Sequence, residues 1–371
     1  MSVHSLLDHF SALDDPRQAW KVIYPLPEIL LAVLCGTMAG AEDFVEIRRW
    51  AAMHLGFLRC FLPFEQGVPS HDTLNDVVNA LDGELFARCF AAWVEGLAEA
   101  EPDIVAIDGK TSRRSHDRAR GREPLHLVSA WASRQRLVLG QQATEAKSNE
   151  ITAIPLLLER LALTGALVTI DAIGCQTRIA RKILDKQADD LLAVKDNWPS
   201  LHAEIARYFD DPASQGLLRH DTTDGDHGRI EVRRHAVSHR VDWLTSDRRF
   251  PGEPRFPGLA AIAMVEAERA GKSSRERRFY LCSAKLDAKA FAHAVRCHWH
   301  VENRLHWVLD VVFHDDLCRL RSGFGPQNMA TVRHMALNLF RGADDKHSLK
   351  VRRKSAAWSN DYLEALIRKT A

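Results

Sequence analysis

No C-x-x-C pair occurs among the seven cysteines (Cys35, Cys60, Cys89, Cys175, Cys282, Cys297 and Cys318), so neither a zinc module nor a disulfide framework is indicated. Nothing resembles a secretory signal: Met1 to His9 is polar, with no basic start leading into an apolar core. Long apolar runs are missing too. The most apolar window, Ile29 to Ala41, is too short to span a bilayer and follows Glu28, so it reads as a buried helix. There is no internal repeat, no low-complexity tract and no charge excess, the formal net charge being +1. Together these absences set aside membrane-spanning and disulfide-stapled classes, and a cytoplasmic location is expected.

What remains is a chain of 371 residues, 46% hydrophobic and 27% charged, long enough for two or three domains. Its charge is uneven. Lys110, Arg113, Arg114, Arg118, Arg120 and Arg122 crowd one segment against Asp117 alone. Smaller basic groups lie at Arg269, Lys272, Arg275, Arg277 and Arg278, and at Lys350, Arg352, Arg353 and Lys354. Solvated loops account for the last two groups, whereas the first begins directly after an aspartate that ends an apolar run.

Helical spacing dominates the first part. Phe44, Ile47, Ala51 and Leu55 share a face, as do Leu85, Phe86, Cys89, Phe90, Trp93 and Val94. Ser70 or Asp72 can cap a helix between them. Residues 1–98 are thus expected to pack as a small helical unit, with the acidic, proline-containing stretch Glu99 to Asp103 as its boundary. Strands are expected at Ile104–Asp108, His126–Ala132, Arg136–Ala143, Ala166–Asp171 and Leu191–Lys195, with helices at Ile151–Leu163 and Thr177–Gln187. Three strands, a crossover helix, a strand, a helix and a strand predict a mixed sheet with a parallel portion. Residues 199–285 read as a β-rich insertion. Ala288 to Phe313 reads as one long helix, Asn328 to Phe340 as another, and residues 346–371 as a basic tail with one short terminal helix.

Chemistry gathers at two similar stretches. Ile104-Val105-Ala106-Ile107 runs into Asp108, and Ala166-Leu167-Val168-Thr169-Ile170 runs into Asp171. Unbroken apolar series suit strands covered on both faces, and ligands of open sheets collect at the strands' carboxyl ends. Either aspartate alone is explained by a strand-ending turn; two of the same design are not. Carboxylates about 4 Å apart repel by roughly 4 kcal/mol at an effective dielectric of 20, so they share a proton or hold a cation. The two related lobes of an aspartic-protease dyad are absent, and hard oxygen ligands suit Mg²⁺. A third acid is offered by Glu302, between Trp299 and Trp307, which can wall a pocket or stack on a base. Its plain alternative is a surface glutamate paired with Arg304 or His306. A sharper one is a His/Glu metallohydrolase using His298, Glu302 and His306, spaced i, i+4, i+8 on one helical face.

These residues resemble the DDE transposases of bacterial insertion sequences, specifically the ISAs-type and H-repeat-associated proteins. The likeness covers nearly the whole chain. It rests on Leu13-Asp14-Asp15-Pro16-Arg17, Pro69-Ser70-His71-Asp72-Thr73, Ala106-Ile107-Asp108-Gly109-Lys110-Thr111 and His126-Leu127-Val128-Ser129-Ala130. It continues through Lys147-Ser148-Asn149-Glu150-Ile151, Val168-Thr169-Ile170-Asp171-Ala172, His298-Trp299, Val301-Glu302-Asn303 and Leu305-His306-Trp307.

The resemblance implies an RNase H-like catalytic core (99–198 and 286–345) behind a helical DDE-associated domain, interrupted by the insertion before the last acid. Carried across by position, Asp108, Asp171 and Glu302 match the catalytic, metal-holding triad, and Lys195 and Asn197 match a recurrent motif after the later strand. The wider signature places Tyr, Arg and Lys around the glutamate; here those positions hold Val295, His298 and Leu309, although Arg296 lies close by. The implied activity is Mg²⁺-dependent cleavage at element ends and transfer of the 3′-hydroxyl into target DNA, with Mn²⁺ able to substitute. The implied partner is double-stranded DNA, namely terminal inverted repeats and target, bound by a dimer and without a membrane. Such a protein is nucleoid-associated while bound. Lys110, Arg113, Arg114, Arg118, Arg120, Arg122, Lys195, Arg296, Trp299 and Trp307 are the expected DNA contacts. A catalytically inactive DNA-binding remnant is the alternative within the same family.

Overall fold

The computed structural model describes residues 5–99, 101–117, 121–144, 149–214, 216–226, 229–245, 254–269 and 275–369. Arg118, Arg120, Lys147, Ser148 and Lys272 lie outside the described residues. Six helices come first: α1 (Leu6–Ser11), α2 (Leu26–Met38), α3 (Phe44–Met53), α4 (Leu55–Leu58), α5 (His71–Ala80) and α6 (Gly83–Leu97). Side-chain oxygens start most of them by accepting orphan backbone N–H groups. Asp43 caps α3, Asp82 caps α6, and Ser70, rather than Asp72, caps α5. Apolar on nearly every side, α2 is buried on nearly every side.

The sheet begins with β1 (Ile104–Thr111), β2 (His126–Ala132) and β3 (Leu137–Thr144), followed by α7 (Glu150–Arg160), β4 (Leu167–Ile170), α8 (Thr177–Asp185) and β5 (Asp189–Val194). After α9 (Pro199–Asp210) come β6 (Leu218–Asp226), β7 (Arg229–Ser238), α10 (Asp242–Thr245), β8 (Ala261–Arg269) and β9 (Arg275–Cys282). The strand order is β3-β2-β1-β4-β5-β9-β8-β7-β6. Strands β1, β2 and β3 are antiparallel, β1, β4 and β5 are parallel, and β9 returns antiparallel to β5. This is the expected RNase H-like mixed sheet with flanking helices. The β-rich segment before the last acid continues the same sheet instead of standing apart from it. Helix α9, which opens on Pro199, falls within the stretch read as a β-rich insertion, where no helix was named.

The last third differs from expectation. What reads as one helix over Ala288 to Phe313 is α11 (Ala288–Val301), a π-helical turn (Glu302–His306) and α12 (Trp307–Val312). After α13 (Gly325–Arg341) the tail holds two helices, α14 (Leu349–Trp358) and α15 (Asn360–Arg368), where one was expected.

The first six helices do not close a core by themselves. One apolar cluster joins Leu30, Leu34 and Phe90 to Leu305, Met335, Leu337, Phe340 and Leu363. Helix α13 runs through its centre, and two of its asparagines are matched to backbone groups. Asn338 donates to and accepts from the main chain of Val138 on edge strand β3, both at 2.9 Å. Asn328 donates to Val78 and Leu81 carbonyls, both at 2.8 Å. The amide of Asn338 thus covers a strand edge that would otherwise be open. No helix among the described residues is long and apolar enough to cross a membrane.

A chain cut to residues 99–371 would expose the apolar faces of α12, α13 and α15. It is expected to bind a hydrophobic dye and to lose the cooperative thermal transition of the full chain. A sharp transition without dye binding would show that the core is divided between two units.

Candidate active site

Register explains why two aspartates distant in sequence are neighbours. The last parallel pair between β1 and β4 is Ile107 with Ile170, so Asp108 and Asp171 are the next residue on each strand. Strand β1 runs on to Thr111 beside β2 after β4 has ended. Asp108 therefore sits within β1, not at its end, but on the flank that β4 no longer covers. Its Oδ1 accepts from the Gly109 N–H at 2.9 Å, and Asp171 Oδ1 accepts from the Ile173 N–H at 3.1 Å. The loop after Asp171 is stapled from β5's side. Asn197 donates to the Ala172 carbonyl at 2.7 Å and accepts from the Lys195 N–H at 3.1 Å, while Trp198 Nε1 donates to the Cys175 carbonyl at 2.7 Å. That is a physical role for the Lys195–Asn197 motif, which spacing alone does not supply.

Beneath Asp108 lies a buried pair. His126 Nε2 and Glu150 Oε1 are 2.6 Å apart, and His126 Nδ1 meets Thr111 Oγ1 at 2.8 Å. A Cβ on Gly109 would come within 2.3 Å of that Glu150 oxygen and 2.5 Å of His126 Nε2. The glycine of Asp108-Gly109 is needed for this close approach, not for a turn.

Glu302 reaches the same cleft from the π-helical turn, a distortion often found at functional sites. His306 Nδ1 lies 3.1 Å from Glu302 Oε2 and 3.7 Å from Asp108 Oδ2. Ligand-capable atoms of Asp108, Glu302 and His306 all lie within 4.8 Å of one another. Asp108, Asp171, Lys195, His298, Trp299 and Glu302 line one cleft of about 400 Å³. Burial pushes the Asp108 carboxyl up to about 6; His306 and the Gly109 N–H oppose the rise, and Asp171 and Glu150 add to it. The hydrogen bond with His306 holds Glu302 below the usual carboxylate range despite its partial burial.

Lys110, expected on DNA, is sequestered instead. Its Nζ lies 2.7 Å from Asp310, 3.1 Å from Asp315 and 3.3 Å from Asp316, with only 11% of the side chain exposed. Arg333 pairs with Asp315 at 2.8 Å, and Ser112 donates to it at 3.2 Å. Burial would depress the Lys110 ammonium, but the three carboxylates outweigh it and hold its pKa above the ordinary value. This network ties β1 to the segment just after the Glu302 helix. Sequence reasoning missed it; the adjacent Asp315-Asp316 pair was the available signal, because neighbouring buried acids require a cation.

The other expected contacts are spread out. Arg113 is exposed, 3.6 Å from Asp316. Arg114 is exposed and its carbonyl accepts from Arg321, while Arg122 donates to the Arg321 carbonyl at 2.7 Å. Arg296 pairs with Asp224 at 3.2 Å. Trp299 carries the Arg278 guanidinium 4.8 Å over its ring at the cleft wall, whereas Trp307 is exposed away from that wall. His298, Glu302 and His306 do not form one ligand set. His298 faces Thr169 Oγ1 at 3.0 Å, and the π turn carries His306 round to a separate small cavity beside Lys110 and His334.

Residues 99–339 match the family model described as transposase DDE domain, and residues 7–94 match the one described as DDE_Tnp_1-associated. "Putative transposase YncI" of Escherichia coli O157:H7 is 40% identical over 376 residues, covering 99% of this chain and 95% of the relative. "H repeat-associated putative transposase YhhI" of Escherichia coli K12 is 37% identical over 376 residues, covering 99% and 98%. Among solved structures, a piggyBac transposase synaptic complex with hairpin DNA aligns over 98% of this chain and 80% of that one, with TM-score 0.45 and 10% identity.

Two outcomes are expected of the bare protein. Lys110→Met takes the ammonium from partly buried Asp310 and Asp316 and leaves Asp315 with Arg333 alone, so urea unfolding should show a loss of about 1–3 kcal/mol; an unchanged midpoint would mean the network contributes nothing. Folding raises the Asp108 carboxyl from 3.8 to about 6, so between those values the folded chain holds a proton that the unfolded chain releases. Metal-free stability from this group therefore falls as pH rises through that window. Asp108→Asn, which cannot ionise, should gain in melting temperature over the wild type between pH 4 and 6.5 in chelator, and parallel curves would contradict the shift.

Proposed function

The chain belongs to the DDE transposase family, and from that premise we propose that it cuts DNA at insertion-sequence ends and joins the freed 3′-hydroxyl to target DNA. The observation that carries the reading is the shared cleft of Asp108, Asp171 and Glu302. Asp108, Asp171 and Glu302 are its catalytic carboxylates and would hold Mg²⁺, or Mn²⁺ in its place. The donor set fits a hard divalent cation: carboxylate oxygens dominate, Asp108 sits among like charges, and His306, hydrogen-bonded to Glu302 and 3.7 Å from Asp108, stands between two of the acids. Bound there, a pair of such ions supplies an activated oxygen nucleophile and charge relief at the leaving oxygen of an in-line displacement.

The residues of the chain do the rest. Asn197 and the His126–Glu150 pair keep the two aspartate backbones in register, and the Lys110 network holds the glutamate helix against β1. Trp299, under Arg278, and Lys195 wall the cleft where a strand lies. Arg113, Arg114 and Arg122 form a basic approach for phosphates, and Lys110 leaves that set. DNA is bound at terminal inverted repeats and target by two copies, because two ends must be joined in one complex; the bound protein is nucleoid-associated. On this reading residues 1–98 are the DDE-associated helical domain, 99–198 and 286–345 the catalytic core, 199–285 its insertion and 346–371 a basic tail.

Asp108→Asn, Asp171→Asn and Glu302→Gln should each lower cutting and joining of element-end DNA by at least about a hundredfold in Mg²⁺, with the melting temperature preserved or raised. Undiminished cutting by a folded Asp108→Asn protein would overturn the assignment.

A further inference from the structure

The Glu302 helix has a second charged face, turned away from the cleft. His300 and Arg304 lie on it, Arg341 reaches it from the end of α13, and Arg136 is brought to it by the turn between β2 and β3, which Ser133 seats against α11 by donating to the Cys297 carbonyl at 3.2 Å. Arg341 Nη2 donates to the Arg304 carbonyl at 2.9 Å, and its guanidinium lies 5.4 Å over the Trp131 ring. Its Nε is buried without a hydrogen-bond partner, as is His300 Nδ1. Among the described residues no carboxylate pairs with Arg136, Arg304 or Arg341. The acids at this edge are already engaged: Arg134 takes Glu99 at 2.5 Å and Glu101 at 3.5 Å, and Asp103 accepts from the backbone N–H groups of Ile104, Arg134 and Gln135.

The cost of this crowding is visible. Burial, then repulsion by Arg136, Arg304 and Arg352, brings Arg341 down to about 10, and Arg304 is lowered by burial and then by Arg136. Three guanidinium groups held together with unused donors, and with no carboxylate between them, form a receptor for an oxyanion. The position indicates which one. Val105 of β1 pairs with Ala132, and Arg136 lies beyond that point, so it stands on the order of 10 Å or more from Asp108 along the strand direction. A duplex seated in the cleft that left it round the glutamate helix would pass this face.

Resting on the transposase reading, we infer that Arg136, Arg304 and Arg341, with His300, form a phosphate-binding site for the DNA backbone on the back of the Glu302 helix, separate from the catalytic cleft. Binding there replaces arginine–arginine repulsion with charge-assisted hydrogen bonds and orders the strand that runs out of the cleft. Bases are not read at this site, so its contribution is independent of sequence.

The test is the salt dependence of binding by the full chain to a short DNA duplex of arbitrary sequence, in chelator, followed by fluorescence anisotropy. Each phosphate contact contributes about 0.9 to the slope of log K against log salt. The Arg136→Gln, Arg304→Gln double variant should lose about 1.8 from that slope, and a variant with lysine at both positions should keep it. Arg136→Gln alone, a change at an exposed turn that leaves folding intact, should lose about 0.9. A slope unchanged in Arg136→Gln while the wild type binds would overturn the site alone. Absence of duplex binding by the wild type at low salt would overturn the transposase reading and this site together.

Discussion

One ammonium group holds the arrangement together. Lys110 follows Asp108 by two residues on β1, and its Nζ sits among Asp310, Asp315 and Asp316 just beyond the helix that carries Glu302. A sheet strand and a helix from the far end of the chain are therefore fixed to each other beside the acids they bear. Left alone, Asp108 and Glu302 would repel across the cleft; the network, with Arg333 on Asp315, supplies attraction a few ångströms away. Because Asp315 and Arg333 are buried and Lys110 nearly so, salt screens that part of the network little.

Around that tie, each element meets a packing demand that also serves the cleft. Gly109 admits His126 and Glu150 under β1, Asn197 clamps the loop after Asp171, and the π turn redirects Glu302 and His306. The helices at the two ends of the chain share one core around α13. Asn338 of that helix closes the β3 edge, so the helical layer and the sheet are joined by hydrogen bonds as well as by apolar contact.

Much of this was legible in the sequence. Buried parallel strands carry unbroken apolar runs, so β1, β4 and β5, and the aspartates that close the apolar runs of the first two, could be read directly. Glu302 stood out only as an acid between Trp299 and Trp307, and the resemblance then matched it to the triad. Other features left no local trace. Strand β6 (Leu-Arg-His-Asp-Thr-Thr-Asp-Gly-Asp) is an edge strand of polar residues, and its pairing with β7 is decided by tertiary context. Helix α9 buries only Leu201 and Ile205, too short a stripe to stand out. The π turn has no periodic signature, and helical spacing across it wrongly aligned His298 with His306. Lys110 looked like the first residue of a basic patch because its three partners lie about two hundred positions away.

The central claim is that Asp108, Asp171 and Glu302 form one cation-holding centre. Anomalous scattering from a crystal of the full chain soaked in Mn²⁺ tests it most directly. The account predicts density between these three carboxylates and none among Asp310, Asp315 and Asp316, where Lys110 already supplies the positive charge. Manganese at the latter cluster with the cleft empty would contradict it.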